Sequence, residues 1–353
     1  MNCRLLSRRY IQEVDTVVNL SIPWESLNGR TVVISGATGM IGSFLVDVLM
    51  RKNEIAGLGV RVLALGRDRK KAKLRLPYFD SQLFAFEEVD VSSASIRISS
   101  DADYVIHLAS ATHPRAYSSD PIGTIDANVF GLRSLLSYAH ECNASLLFAS
   151  SVEIYGENRG DIERFDEKYC GYLDCNTVRA GYNESKRLGE AMCQAWNVQK
   201  GVPVKIARIA RSFGPTLLPS DSKALSQFIH KAASGKDVVL KSKGTQRYSY
   251  LHVADVVSGL LFVLLKGRDG EAYNLASTSC DVTLRDLAIT VADAGGVDLV
   301  FDIPDDVESA GYSKASLALM DGSKARLELG WNARFDLNAG VIDTLSIIKE
   351  LSE

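Results

Sequence analysis

Thr31-Val32-Val33-Ile34-Ser35-Gly36-Ala37-Thr38-Gly39-Met40-Ile41-Gly42 is the stretch on which the fold turns. Its first five residues are a β-branched run of the kind that forms a short, buried parallel strand. The next seven carry glycines at 36, 39 and 42, and an amphipathic helix is expected from Ser43 to about Lys52. A tight strand-to-helix turn needs glycine where φ is unusual or where backbone approaches a ligand. The helix N-terminus that follows offers free N–H groups and the positive end of a dipole to a pyrophosphate. The spacing Gly-x-x-Gly-x-x-Gly differs from the commoner Gly-x-Gly-x-x-Gly fingerprint. A plain turn also accounts for a glycine trio. Strand, trio and helix together favour a dinucleotide, with Gly36, Thr38, Gly39, Met40, Ile41 and Gly42 as its contacts.

Working outward, a second strand is expected at Val60 to Leu65, ending in Gly66-Arg67-Asp68. A carboxylate at this strand end holds the ribose of NAD, whereas an arginine accommodates the 2′-phosphate of NADP. Arg67 favours NADP and Asp68 lies one step further on, so NAD and NADP both stay open; the bland alternative is a solvated basic loop. A third strand, Phe84 to Val91, brings Asp90 and Val91 to the adenine edge. A fourth, Asp103 to Leu108, leads into Leu108, Ala109 and Ser110, small enough for backbone to pass close to the cofactor, while His107 reads as structural. A helix from Asn128 to Ala139, a fifth strand from Ser145 to Ala149 and a sixth from Val204 to Ile209 continue the alternation. Such alternation predicts an α/β fold of Rossmann type, a doubly wound parallel sheet with right-handed crossovers. Ligands then bind beyond the carboxyl ends of the strands, where Ser151 and Glu153 fall.

Gly181-Tyr182-Asn183-Glu184-Ser185-Lys186-Arg187-Leu188-Gly189-Glu190 reads as a helix that sets Tyr182 and Lys186 four apart on one face. A free tyrosine titrates near ~10 and is a poor base at neutral pH. A nearby ammonium favours the phenolate, so the pair is expected to accept a proton from a substrate hydroxyl. Alone, a Tyr and a Lys at this spacing are ordinary packing residues; the cofactor turn gives them their meaning.

The whole chain sets limits. With 353 residues, 46% hydrophobic and 24% charged, it has an ordinary globular composition and room for a large domain or two smaller ones. A net charge of -3 makes no electrostatic case for nucleic acid. No apolar run approaches the ~20 residues of a membrane span, and MNCRLLSRRYIQEVD has no signal-peptide core. The six cysteines are scattered; Cys170 and Cys175 fit no common zinc spacing, so reduced thiols in a cytoplasmic protein and no metal are expected. Residues 1–28 read as an N-terminal extension, with Trp24 as an anchor and packing or dimer contact as its default role. Residues 29–215 and 251–276 read as the NAD(P)-binding domain. Residues 216–250 and 277–353 read as a smaller, mostly helical substrate domain that closes over it.

Several motifs fall in one order: GATGMIG (36–42), Asp90-Val91, HLAS (107–110), Asn128, SSVEIYG (150–156), Tyr182-x-x-x-Lys186 and RYSYLHVAD (247–255). In this ordered set the chain resembles the extended short-chain dehydrogenase/reductases that act on nucleotide sugars, the NAD-dependent epimerase/dehydratase family, over residues 30 to 331. Within that family, HLASATHPRAYSSDPIGTIDANVFG, RAGYNESKRLGEAMC, KIARIARSFGP and LELGW are most similar to the UDP-glucuronate decarboxylase branch. A glutamate two residues after the serine, as in SSVEIYG, is similar to the decarboxylase and dehydratase form. Two departures bear on the substrate: Arg211 stands where the family usually has an asparagine, and no arginine appears between Ser313 and Asp321, where relatives place a phosphate contact.

The resemblance implies a role for each of these residues. Tyr182 and Lys186 take the proton of the sugar 4-OH, Ser151 bonds the same oxygen, and Asn128 joins the cofactor contacts. Glu153 is the acid/base for the fate of a 4-keto sugar, and NAD or NADP is recycled. Arg247 is the diphosphate clamp, since a guanidinium binds phosphate bidentately; an inter-domain ion pair is its structural alternative. Arg115, Tyr117 and Arg211 complete the expected sugar site, and a homodimer acting in polysaccharide biosynthesis is implied. Decarboxylation and 4,6-dehydration lead, with 4-epimerisation, an NADP-dependent 4-keto-sugar reductase and a non-catalytic dinucleotide-binding scaffold as rivals.

Overall fold

The computed structural model describes residues 3–93, 96–110, 112, 119–303 and 316–352. Its centre is a seven-stranded sheet. The first six strands are β1 (Thr31–Ser35), β2 (Arg61–Gly66), β3 (Phe84–Glu88), β4 (Tyr104–His107), β5 (Ser145–Ser151) and β6 (Val204–Ile209), and Ala272–Leu275 is the seventh. Across the sheet the order is Ala272–Leu275, β6, β5, β4, β1, β2, β3, and every pairing is parallel. β1 is buried along its whole length, as a strand covered on both faces must be. Successive strands run outward from β1 to β3, then restart on the other side at β4. The switch point between β1 and β4 opens a crevice at their carboxyl ends.

The helix Met40–Ala56 leaves β1 through the glycine turn and is buried continuously from Gly42 to Met50. It is longer than its amphipathic stretch, because its outer face is also covered, by the arm and by the helix Val253–Lys266. Pro121–Cys142 and Ala180–Lys200 pack against each other on the opposite face of the sheet.

The N-terminal arm contains a helix, Arg8–Val18, capped by Ser7. Its buried apolar residues Tyr10, Val14, Val17 and Val18 form a helical stripe. Trp24 is buried as expected, with the Lys52 ammonium 4.8 Å from its ring. The arm packs on its own subunit: Arg4 forks onto Asp47 at 2.6 and 3.0 Å, and the hydroxyls of Tyr10 and Tyr78 donate to the same carboxylate.

Residues 216–250 and 277–353 add short strands to the expected helices. Arg247–His252 is a strand, flanked by Arg211–Phe213, Asp281–Thr283 and Leu317–Ala318, and Val238–Leu240 pairs with Leu299–Phe301. The strands after residue 276 have two or three residues each, too short for an alternating pattern to show. The helices Ala224–Ala233, Leu284–Gly295 and Leu337–Glu350 pack beside them. No helix among the described residues is long and apolar enough to cross a membrane.

Candidate active site

The glycine turn is dictated by its own crowding. Gly36 has φ +73°, and a Cβ there would lie 2.7 Å from the Ala109 nitrogen. A Cβ at Gly42 would lie 2.3 Å from the Gly36 carbonyl oxygen. Gly39 is different: a Cβ would meet only the Gly36 oxygen at 3.2 Å, and the residue lines the open cleft. No side chain caps the helix that begins at Met40, so its first N–H groups face the space that Gly39 keeps clear. That is the donor set and the room a pyrophosphate requires.

Beyond β2, Asp68 caps the helix Arg69–Arg75 by accepting from the Lys71 N–H at 2.9 Å. Arg67 is exposed, and its charge helps hold Asp90 below its usual range, after the hydrogen bond from Ser92. Val91 is buried against Gly131. Asn128 is fully buried between the two packed helices, its amide donating to Ser185 Oγ at 3.0 Å. Its Oδ1 has no partner among the described residues and remains available to a ligand or water. His107 is structural: its Nδ1 meets Ser35 Oγ at 2.7 Å, and burial pushes it down to about 3.

The wall that carries the candidate proton-transfer residues is the end of β5 facing the helix Ala180–Lys200. Lys186 is 3% exposed and donates through Nζ to the Ala149 carbonyl at 2.7 Å. Burial pushes its ammonium down to about 7, against the raising influence of Glu190 and Cys193. Tyr182 is buried and hydrogen-bonded with Ser151. Burial raises the phenol above its ordinary range, the Ser151 bond draws it back, and the Glu153 charge raises it further. This corrects the expectation that Lys186 alone makes Tyr182 a ready base. The ammonium lies 6.0 Å from the phenol ring centroid and points to a carbonyl, so desolvation of the phenol outweighs it.

Glu153 follows Ser151 on a 3₁₀ turn that Asn183 fixes by donating to the Glu153 carbonyl at 2.9 Å. Its carboxylate pairs with Arg211 at 3.0 Å, and the Arg211 guanidinium lies 4.0 Å from the Tyr248 ring centroid.

The cleft therefore brings together Gly36, Gly39, Met40, Ile41, Gly42, Leu108, Ser110, Ser151, Glu153, Tyr182, Lys186 and Arg211. Thr38 and Ala109 belong to the same two turns. Arg67, Asp68, Asp90 and Val91 sit at the far ends of β2 and β3, and Arg247 is exposed at the start of its strand, outside the cleft wall. Arg115 and Tyr117 lie outside the described residues. Sequence reasoning missed Arg179, Asp221 and Lys223, which line the cleft, with Lys223 and Asp221 paired at 3.2 Å. Arg179 precedes Tyr182 by less than one turn, a signal that was available; nothing local marks Lys223. Among the described residues no group of three or more histidine, cysteine, aspartate or glutamate side chains could hold a metal ion.

Residues 32–276, most of the chain, match the NAD dependent epimerase/dehydratase family. The chain belongs to this family. Its relatives include UDP-glucuronic acid decarboxylase 3 of Arabidopsis thaliana, 30% identical over 88% of this chain and 86% of that one. UDP-glucuronic acid decarboxylase 1 of Xenopus tropicalis is 28% identical over 98% and 77%. Two solved structures share the fold: dTDP-glucose 4,6-dehydratase from Bacillus anthracis, in complex with NAD (19% identity, TM-score 0.75, 91% of this chain and 97% of that one), and UDP-glucose 4-epimerase from Thermotoga maritima (20%, 0.76, 92% and 100%). The family is NAD dependent, so of the two cofactors left open by Arg67 and Asp68, NAD is the one assigned.

Proposed function

We propose that this family member converts a UDP-linked uronic acid through a 4-keto intermediate to its decarboxylated product, with NAD recycled. The observation that carries the choice of reaction is the Glu153–Arg211 pair. Elimination across C5 and C6 of a hexose needs a base for the C5 proton. Proton uptake by Glu153 would break its bond to Arg211, so the site works against that step. A 4-keto uronate is a β-keto acid and loses carbon dioxide without such a base. The names of the relatives point the same way.

Bound NAD supplies the hydride acceptor, and later the donor, for sugar C4, together with a positive charge that favours the phenolate. Tyr182 takes the 4-OH proton as the ketone forms and returns it at the end. Ser151 hydrogen-bonds the same oxygen and holds it against the phenol. The C5–C6 bond then breaks with release of C6 as carbon dioxide, its electron pair passes into the C4–C5 enolate, and C5 takes up a proton from solvent water. The uncapped helix start, Gly39 and the 107–110 turn would hold the NAD phosphates and ribose, with Asp68, Asp90 and Asn128 as further contacts.

Lys223 and Arg179, which line the cleft, are the cations we assign to the sugar diphosphate, with Arg247 a rim contact. In this reading residues 29–215 and 251–276 hold NAD, and 216–250 with 277–353 hold the sugar. A homodimer through the helices Pro121–Cys142 and Ala180–Lys200 is supported by the exposure of Ile122, Phe130 and Leu188 on them. The five described cysteines are free, in keeping with a reducing, cytoplasmic setting.

The test is mass spectrometry of products from UDP-glucuronate, UDP-glucose and dTDP-glucose with NAD. Loss of carbon dioxide from UDP-glucuronate is expected, with no loss of water from either hexose. In Arg211→Asn, which frees Glu153, dehydration of a hexose should appear. A product of unchanged mass and new retention time would replace decarboxylation by 4-epimerisation, and accumulating NADH would indicate net oxidation.

A further inference from the structure

The helix segment that carries Tyr182 and Lys186 ends on a carboxylate, Glu190, which the chemistry above leaves unused. Three consecutive residues of β5 each receive one side chain of that helix. The Ala149 carbonyl accepts from Lys186 at 2.7 Å, Ser150 Oγ donates to Glu190 Oε1 at 2.5 Å, and Ser151 bonds Tyr182. Glu190 stands one helical turn beyond Lys186, on the same face.

Glu190 is also clamped from β6. Arg208 donates to it through Nε at 3.0 Å and Nη2 at 2.6 Å, a two-pronged, charge-assisted contact. The other prong of Arg208, Nη1, donates to Tyr155 Oη at 3.0 Å and to the Glu167 carbonyl at 2.7 Å. Tyr155 donates to Asn274 Oδ1 at 2.6 Å, and the Asn274 amide donates to the carbonyls of Phe165 and Asp321. One line of hydrogen bonds thus runs from the carboxylate beside the cleft lysine to two segments of chain that meet at the Phe165–Met320 bridge.

Of the groups around Lys186, Glu190 gives the larger support to its charge and Cys193 the smaller. Burial pushes the Tyr182 phenol and the Cys193 thiol up and the His107 imidazole of β4 down, all toward their neutral forms. Arg208 lies beyond Glu190 and carries like charge.

We infer that Glu190, held by Arg208, is a positioning residue that keeps Lys186 charged and aimed at Ala149, and so sets the alkaline limit of the oxidation step. This rests on the reading that Tyr182 and Lys186 carry the oxidation. Removing the carboxylate leaves the buried ammonium with only its desolvation, so Lys186 loses its proton at lower pH. Removing Arg208 strips Glu190 of its competing partner, so Lys186 keeps its proton to higher pH. The two changes act on one contact line in opposite directions.

The experiment is the pH dependence of kcat/KM for UDP-glucuronate turnover in the wild type, Glu190→Gln, Glu190→Asp and Arg208→Gln. In Glu190→Gln the alkaline limb should move down by about one pH unit or more, roughly a tenfold loss of rate above it. Glu190→Asp should return most of the way, and Arg208→Gln should move the limb up. In parallel, the Lys186 Cε signal of carbon-13-lysine protein, assigned with Lys186→Arg, reports the ammonium titration without turnover. A shifted titration with no turnover on any nucleotide sugar keeps the control of the Lys186 charge by Glu190 but removes the proposed function, and with it the claim about the alkaline limit of oxidation. An unmoved limb and an unmoved signal, with only a lower melting temperature, overturn the inference. If Glu190→Gln does not fold, the Asp and Arg208→Gln variants still decide it, because a merely structural clamp predicts no shift in either.

Discussion

Asp47 and Lys186 are both buried charges in the same αβα sandwich, and they are surrounded in opposite ways. Asp47 is fully covered and meets a forked guanidinium and two phenol hydroxyls, so its oxygens are richly bonded. Lys186, at 3% exposure, has one carbonyl and a carboxylate a turn away, and burial alone brings it near neutrality. A buried charge with full compensation is a fastener: it binds the arm to the helix Met40–Ala56. A buried charge with partial compensation is reactive, because a small change in its surroundings alters its protonation.

The contrast is broken or sharpened by substitution, taken here from the largest effect down. Tyr182→Phe removes the proton acceptor and should lower turnover by about 10³-fold or more while NAD still binds, as followed by quenching of protein fluorescence. Turnover near wild type would sink the assignment. Arg4→Met strands Asp47 and is expected to cost roughly 3–5 kcal/mol of stability in urea unfolding, with kcat of the folded fraction unchanged. A lowered kcat there would mean that the arm does more than fasten. Lys223→Ala should raise KM for the nucleotide sugar about tenfold, whereas Arg247→Ala, exposed and screened, should change it by about threefold or less. The reverse ranking would return the diphosphate to Arg247.

The sheet was legible because β1, β2, β4, β5 and β6 are apolar runs punctuated by glycine or small residues, and a strand buried on both faces leaves that trace. That Ser151, Tyr182 and Lys186 would share one cleft wall was legible, because their spacing on one strand end and one helix is local. What escaped was set by contacts between distant segments. Nothing near Glu153 announces that Arg211 will close on it, and nothing near Lys223 places it in the cleft rather than on the surface. Burial was the other blind spot: the spacing of Tyr182 and Lys186 suggests a lowered phenol, while the depth of the pair raises it. The arm helix was a missed opportunity, since Tyr10, Val14, Val17 and Val18 recur at helical intervals.

The arm is also tied to the last helix. Ser7 donates to Glu350 at 2.7 Å across 343 positions of sequence, and Arg9 faces Asp343 at 3.5 Å. A contact of that span closes a loop as long as the fold itself, and it cannot form until the helix Leu337–Glu350 is in place. The helix Met40–Ala56, on which the arm mainly packs, follows it closely in sequence, and only the Ser7 and Arg9 contacts wait for the helix Leu337–Glu350. Tyr10, Val14, Val17 and Val18 can therefore gain cover early, whereas the Ser7–Glu350 strap closes only once the segments between them have folded, which makes it a late fastener of an early contact.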